Sequence, residues 1–218
     1  MSDRVFRLRK VEQMADESYG KKVWDFNQTL PFNYIQDSTK DGICLALSCY
    51  WIKHHALGSS LMNFLGGIGN VNPRNPREGI RFNHQGFKDI ANFQSLVSLL
   101  PEWNEACKIM LQKYVLPSTE SVGVAIDFPS LKKELKGKLN TYMLINIYNS
   151  DNRDGHAIAV YIPKNGKDIQ FFDPNYGEYI FQNNLEFHFF LHFFVCNFYK
   201  NEYDYNKYQF IYFKPQAN

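Results

Sequence analysis

The chain has 218 residues, of which 44% are hydrophobic and 17% aromatic, and its formal net charge is +2. This length suits one large domain with an ample core, and the abundance of Phe and Tyr favours β-strands over a leucine-rich helical bundle. A charge so close to zero gives no indication of a nucleic-acid or membrane-surface partner, and we expect no nucleic acid among the partners.

The first half of the chain predicts helices. Residues 1–30 are charged and weakly patterned, so we expect an N-terminal arm that is flexible or related to secretion. The apolar stretch 43–57 follows Asp41, a suitable N-cap residue, and predicts a helix. Further helical patterns cover residues 87–100, 102–114 and 130–138.

The second half predicts a sheet and one more helix. Residues 183–198 have helical length, whereas β-branched and aromatic residues mark four strands at 141–148, 156–162, 168–173 and 208–213. The pair Asn165-Gly166 predicts a hairpin turn between the second and third strands. Helices followed by strands indicate an α+β fold rather than a doubly wound parallel sheet, and we expect one domain over residues 31–218.

The cysteines and the N-terminus indicate in which cellular compartment the protein works. Cys44, Cys49, Cys107 and Cys196 show no CxxC spacing, and a chain of this size does not need a disulfide framework, so we expect reduced thiols. The N-terminus lacks the apolar core of a signal peptide, and no stretch is long and apolar enough to span a membrane. Export would therefore need a route that does not read such a leader.

The first residue with chemical potential is Cys44, which lies directly behind Gly42-Ile43 in the first turn of a predicted helix. A helix N-terminus carries partial positive charge and unpaired N–H groups, and both favour the thiolate, which is the nucleophilic form of cysteine. The alternative is a small buried apolar residue, the commoner role of a cysteine. This segment alone does not decide between the two.

A histidine and an acid stand on neighbouring predicted strands. His156 begins one strand and Asp173 ends the next, so an antiparallel hairpin would bring the two side chains to the same edge. His156 could then take the proton of a nearby thiol, and Asp173 could hold the imidazole in one orientation. The alternatives are a capping histidine and an aspartate that only starts the Asp-Pro-Asn turn.

A cysteine on an early helix followed by a histidine and an acid on strands is the chain order of papain-type enzymes. The segments 42–48, 155–159 and 172–178, with Trp51-Ile52, resemble the motifs of the YopT/AvrPphB effector family of cysteine proteases, and the resemblance covers roughly residues 30–214. It implies a papain-like fold, in which a helical part containing the nucleophile helix packs on a central antiparallel sheet. It also implies the catalytic triad Cys44, His156 and Asp173.

The same resemblance implies a bacterial virulence effector that is secreted by a leaderless route into the host cell cytoplasm. Its substrate would be a host protein, such as a prenylated Rho-type GTPase or a kinase, and a secretion chaperone is a further possible partner. We expect no metal or organic cofactor. His188 and His192 lie four residues apart without the Glu of an HExxH pattern, so we expect core or interface histidines there.

Two further points remain open in the sequence. Papain-like enzymes use a side-chain donor upstream of the nucleophile for the oxyanion, and Gln36 has the right chemistry, although it could equally be a solvated loop amide. The same triad could also serve a glutamine deamidase or a transglutaminase-like acyltransferase. A third possibility is a binding module that keeps the scaffold without the reaction.

Overall fold

The computed structural model describes residues 3–28, 42–66, 83–100, 103–121, 123–151 and 154–216. Its helices in these ranges are α1 (Asp3–Glu17), α2 (Cys44–Ala56), α3 (Leu61–Phe64), α4 (His84–Ser98), α5 (Trp103–Leu111), α6 (Phe128–Leu135), α7 (Asn184–His192), a π-helix (Phe193–Tyr199) and α8 (Lys200–Tyr203).

The strands are β1 (Lys21–Trp24), β2 (Val115–Glu120), β3 (Val124–Ala125), β4 (Thr141–Tyr148), β5 (Gly155–Ile162), β6 (Lys167–Asp173), β7 (Gly177–Asn183) and β8 (Lys207–Pro215). They form one antiparallel sheet in the order β1-β7-β6-β5-β4-β8-β2, and β3 pairs with β8. The architecture confirms the α+β class predicted from the sequence, and the predicted hairpin is the pair β5 and β6.

Helices cover both faces of the sheet. Side chains alternate along β4 and β5, as they must in a strand. Met143, Ile145 and Ile158 join a core cluster with α1, α6, α7 and the π-helix, whereas Leu144 and Ala157 join a second cluster with α2, α4 and α5. The sheet therefore separates two hydrophobic layers, and α2 belongs to one of them.

Several elements differ from the sequence-based expectations. Strands β1, β2 and β7 were not predicted. Helix α2 has Ile43 at its N-cap position, and Ile43 provides no side-chain cap. Asp41, the predicted N-cap, lies outside the described residues. The division into an arm at 1–30 and a domain at 31–218 stays a prediction. In the structure, part of that arm contacts the sheet, because Val11 and Ala15 are buried in the core and β1 pairs with β7.

Gly177 opens β7 and allows β1 to approach it. Its φ is +102°, a left-handed conformation that glycine adopts without strain. A Cβ atom at this position would overlap the carbonyl oxygen of Trp24. The glycine therefore permits a β1–β7 contact directly beside the turn that follows Asp173. Within the described ranges, the helices are all too short or too polar to cross a membrane.

Candidate active site

Cys44 is the first residue of α2 and is partly exposed. Burial would raise the pKa of its thiol. A hydrogen bond with His156, the positive charge of that imidazole and a hydrogen bond from the backbone of Ala157 outweigh this effect and lower the pKa below its ordinary value. The helix N-terminus adds partial positive charge to the same position. The arrangement thus favours the thiolate form of Cys44.

His156 and Asp173 meet at the ends of two neighbouring inner strands, β5 and β6, as the predicted hairpin requires. The register of β5 and β6 pairs Ala159 with Phe172, which leaves His156 and Asp173 at the adjoining ends of these strands. The imidazole Nε2 lies 3.0 Å from Asp173 Oδ2, and His156 and Asp173 are only 3% and 0% exposed. Because Nε2 is engaged with the carboxylate, we assign to Nδ1 the hydrogen bond that His156 makes with Cys44.

The ionisation of His156 follows from these neighbours. Burial alone would lower the pKa of the imidazole, because a low-dielectric site disfavours the charged form. The charge of Asp173 and hydrogen bonds to Asp173 and Cys44 outweigh burial and raise the pKa of His156 well above its ordinary value. A lowered thiol pKa and a raised imidazole pKa together favour a thiolate–imidazolium pair at neutral pH.

The carboxylate of Asp173 accepts two further hydrogen bonds. Tyr199, the last residue of the π-helix, donates its hydroxyl to Oδ2 at 2.9 Å. The backbone N–H of Asn175, two residues into the turn, donates to Oδ1 at 2.7 Å. With the bond from His156, this buried carboxylate has three donors, so its position is fixed from three directions.

Gln28 connects the helix of Cys44 with the turn after Asp173. Its Oε1 accepts from the backbone N–H of Ile43 at 3.0 Å, and its Nε2 donates to Asn175 Oδ1 at 2.7 Å. Its own backbone N–H donates to the carbonyl of Pro174 at 2.7 Å. Gln28 is buried, and it ties two elements of the site together although it belongs to neither.

The other residues singled out in the sequence either do not belong to this cluster or lie outside the described residues. Gln36 lies outside the described residues, so its proposed role as oxyanion donor stays a prediction. Cys49, Cys107 and Cys196 are buried, as predicted. His192 packs against the ring of Phe128 at 4.6 Å. No group of three or more His, Cys, Asp and Glu side chains within the described ranges could hold a metal ion.

Two residues of the site were not found by the sequence reasoning, Gln28 and Tyr199. Gln28 falls in the stretch that was interpreted as an arm. Tyr199 lies one position beyond the predicted helix 183–198, and the π-helical turn changes which residues share a face. The one available signal was the dense aromatic composition before Tyr199, which indicates burial without indicating a partner.

The sequence is similar to known bacterial proteins. A family model described as Yersinia/Haemophilus virulence surface antigen matches residues 129–216, which include His156 and Asp173. The cysteine protease YopT of Yersinia pestis is 30% identical over 160 residues, which are 68% of this chain and 48% of that protein. The cysteine protease YopT of Yersinia enterocolitica shows the same identity and coverage. The chain therefore spans about half the length of these relatives.

The fold is similar to a solved structure. The Pseudomonas avirulence protein AvrPphB aligns with a TM-score of 0.54 over 82% of this chain and 95% of that chain, at 17% sequence identity. At this identity the likeness concerns the fold alone. It confirms the papain-like architecture that was predicted, with a helix carrying the candidate nucleophile packed on an antiparallel sheet.

Proposed function

We propose, from its similarity to the YopT/AvrPphB family of cysteine proteases, that the chain is a cysteine peptidase of this family with Cys44, His156 and Asp173 as its catalytic triad. One observation carries the proposal. A buried imidazole is held by a carboxylate at 3.0 Å and hydrogen-bonds a thiol whose pKa is lowered. This combination supports a role for Cys44 as nucleophile, because nucleophilic cysteines are thiolates beside a cation at a helix N-terminus.

The reaction follows from the roles of the three groups. The Cys44 thiolate attacks a peptide carbonyl, and the carbonyl oxygen becomes an oxyanion. As the tetrahedral intermediate collapses, the C–N bond breaks and the His156 imidazolium gives its proton to the departing amine. The neutral imidazole then takes a proton from water as the water oxygen attacks the thioester carbon. The C–S bond breaks, the carboxylic acid leaves, and the thiolate–imidazolium pair is regenerated. Asp173 keeps the ring orientation through both steps.

The oxyanion needs donors that are not already occupied. The backbone N–H groups of Ile43 and Ala46 already have acceptors, the side chains of Gln28 and Gln94. We propose the N–H of Cys44 as one donor and the side chain of Gln36 as the other. An oxyanion donor contributes about 3 kcal/mol to catalysis, so Gln36→Ala is expected to lower kcat about a hundredfold. A loss well under tenfold would reject this residue.

The substrate that we propose is a host protein, because the relatives are named as virulence or avirulence proteins and as cysteine proteases. The family resemblance favours a prenylated Rho-type GTPase or a kinase. It also suggests secretion by a leaderless route into the host cell cytoplasm, with a secretion chaperone as a further partner. Incubation with a prenylated Rho-type GTPase on vesicles, and separately with candidate kinases, distinguishes the two substrate classes by the fragments released.

The decisive experiment compares new protein N-termini in host cells that express the wild type or Cys44→Ala. Cys49→Ala is the matched control, because it removes a buried thiol from the same helix and leaves Cys44 in place. We expect new N-termini that depend on Cys44 and persist in Cys49→Ala. If none depend on Cys44, proteolysis is refuted. Intact-mass analysis of the treated substrate then separates deamidation, which adds about 1 Da to the substrate, from a binding role, which leaves its mass unchanged.

A further inference from the structure

The hydroxyl and the ring of Tyr199 both contact the candidate triad. The hydroxyl donates to Asp173 Oδ2 at 2.9 Å, on the oxygen that also accepts from His156. The ring lies parallel to the imidazole of His156, with centroids 5.1 Å apart and an interplanar angle of 19°. Tyr199 is 1% exposed. One side chain thus holds both the acid and the imidazole, and it is buried away from any substrate.

From these contacts we infer that Tyr199 is a positioning residue for the proposed reaction, which holds Asp173 and the ring of His156 in the geometry that keeps Cys44 ionised. The inference rests on the proposed roles of these three residues. It does not require that the reaction be proteolysis, because the ionisation of Cys44 can be measured without any substrate.

The chemistry of a buried tyrosine supports this role. A hydroxyl removed from water costs about 1–3 kcal/mol unless it finds a partner, and here the partner is a carboxylate, which makes a stronger hydrogen bond than a neutral acceptor. Burial and then the charge of Asp173 raise the pKa of Tyr199 far above its ordinary value. The Tyr199 hydroxyl therefore remains protonated, and able to donate, at every pH at which the reaction proceeds.

The local fold explains how Tyr199 reaches this position. It ends a π-helix, in which residues five apart lie on the same face. In agreement, the rings of Phe194 and Tyr199 meet at 4.9 Å. Tyr203 and Tyr205 stack on Tyr199 with centroids 5.1 and 5.8 Å away. The ring is packed among aromatic neighbours, so the direction of its hydroxyl is set by the backbone of the π-helix.

The test is the rate at which iodoacetamide alkylates Cys44 in the full chain, measured by peptide mass from pH 5 to 9. Tyr199→Phe removes only the hydroxyl. We expect about a tenfold slower reaction at pH 6 and a curve shifted to higher pH by about one unit, because one pKa unit is a factor of ten. Tyr199→Met also removes the stacked ring and is expected to slow the alkylation of Cys44 further.

The matched control is Tyr203→Phe. Tyr203 stacks on Tyr199, but its hydroxyl bonds Tyr176 at 2.8 Å rather than the triad. It therefore removes a hydroxyl from the same aromatic cluster, and we expect an unchanged alkylation curve. Urea unfolding of each variant establishes that it is folded. A lower stability with a wild-type alkylation curve in Tyr199→Phe would assign Tyr199 to structure alone and overturn the inference.

A double-mutant cycle with Asp173→Ala gives the sharper answer. If Tyr199 acts through the carboxylate, Tyr199→Phe is expected to add less than a twofold loss when Asp173 is already absent, by the usual logic of coupled pairs. An undiminished tenfold loss in that background would contradict the inference. A cycle that behaves as expected, combined with no Cys44-dependent cleavage in cells, would keep the positioning role and reject proteolysis, so the two failures are distinguishable.

Discussion

Replacing Asp173 by alanine removes the acceptor of the His156 Nε2–H group, and the size of the effect can be worked from the geometry. At 3.0 Å and an effective dielectric constant of about 20, opposite unit charges attract by about 5.5 kcal/mol. Water entering the space left by the side chain offsets part of this energy. An opposite charge at such a distance commonly shifts a pKa by about 1–3 units. We therefore expect the pKa of His156 to fall by about two units in Asp173→Ala.

This shift has a defined sign for the reactivity of Cys44. The thiolate–imidazolium pair exists between the lowered pKa of Cys44 and the raised pKa of His156. A fall of about two units leaves His156 protonated at pH 6, so the effect on Cys44 comes from position. Without Asp173 the imidazolium is no longer held beside the sulfur, and the pKa of Cys44 moves up towards that of a free thiol, about 8.5. At pH 6 we expect alkylation of Cys44 to slow about a hundredfold, and the difference from wild type to vanish above pH 9.

The assay is alkylation by iodoacetamide, with the label on Cys44 assigned by fragmentation of its peptide, because Cys49 lies only five residues away. Asp16→Ala is the control, because Asp16 is an exposed acid on α1 and its loss is expected to leave the rate unchanged. Asp173→Asn keeps a hydrogen-bond acceptor without the charge, and its alkylation rate is expected to lie between those of the wild type and Asp173→Ala. If Asp173→Ala and the wild type label equally at pH 6, the carboxylate does not support the ion pair and our reasoning is wrong.

Three further outcomes are expected from the fold. Gln28→Ala loses two buried side-chain hydrogen bonds and is expected to lower the unfolding free energy by about 2 kcal/mol in urea. The exposed Gln13→Ala should cost under about 0.5 kcal/mol, and equal losses would contradict the interpretation. Asn183→Ala removes the cap of α7 and is expected to cost about 1 kcal/mol without altering nucleophile labelling; altered labelling would show coupling that we do not expect. Gly177→Ala is expected to detach β1 and speed its proteolysis, whereas Gly137→Ala, with a positive φ but open space, should leave β1 protected; equal protection in both would refute the steric argument.

The elements with strong local patterns could be predicted from the sequence. Strand β4 has the predicted bounds, 141–148, and β5 and β6 differ from their predicted ranges by one residue each. Helix α2 begins one residue later than predicted, at Cys44. These segments are rich in apolar, β-branched or aromatic residues, so burial and propensity favour the same conformation.

The missed elements lacked such agreement. Strand β2 is buried only at Val115 and exposed along the rest of its length, so it shows no alternation. Strand β1 has four residues, two of them lysines. Strand β7 follows directly after the turn at Asp173, and no element was predicted for this stretch. For β1 and β2, pairing with a strand distant in the chain decides the conformation, and a local pattern cannot report such pairing.

The same limit applies to the candidate site. The order of cysteine, histidine and acid is visible in the sequence, and the hairpin argument was sufficient to expect His156 beside Asp173. Gln28 and Asn175 are 147 residues apart in the chain, and no local pattern indicates that their side chains meet. Tyr199 depends on a helical turn of unusual pitch, which residue spacing does not reveal.

The position of Gln28 sets a boundary for any trimming of the N-terminal region. A cut before residue 28 removes α1 and β1 from the sheet but leaves the amide that links the backbone of Ile43 to the turn at Asn175. A cut just after it leaves the amide on the fragment that carries α1 and β1, so the link then depends on that fragment staying paired with β7. Cleavage a few residues to either side of Gln28, by a host protease or by the protein itself, would therefore produce two forms. In one form the Gln28 link lies within a single chain, and in the other it joins two fragments.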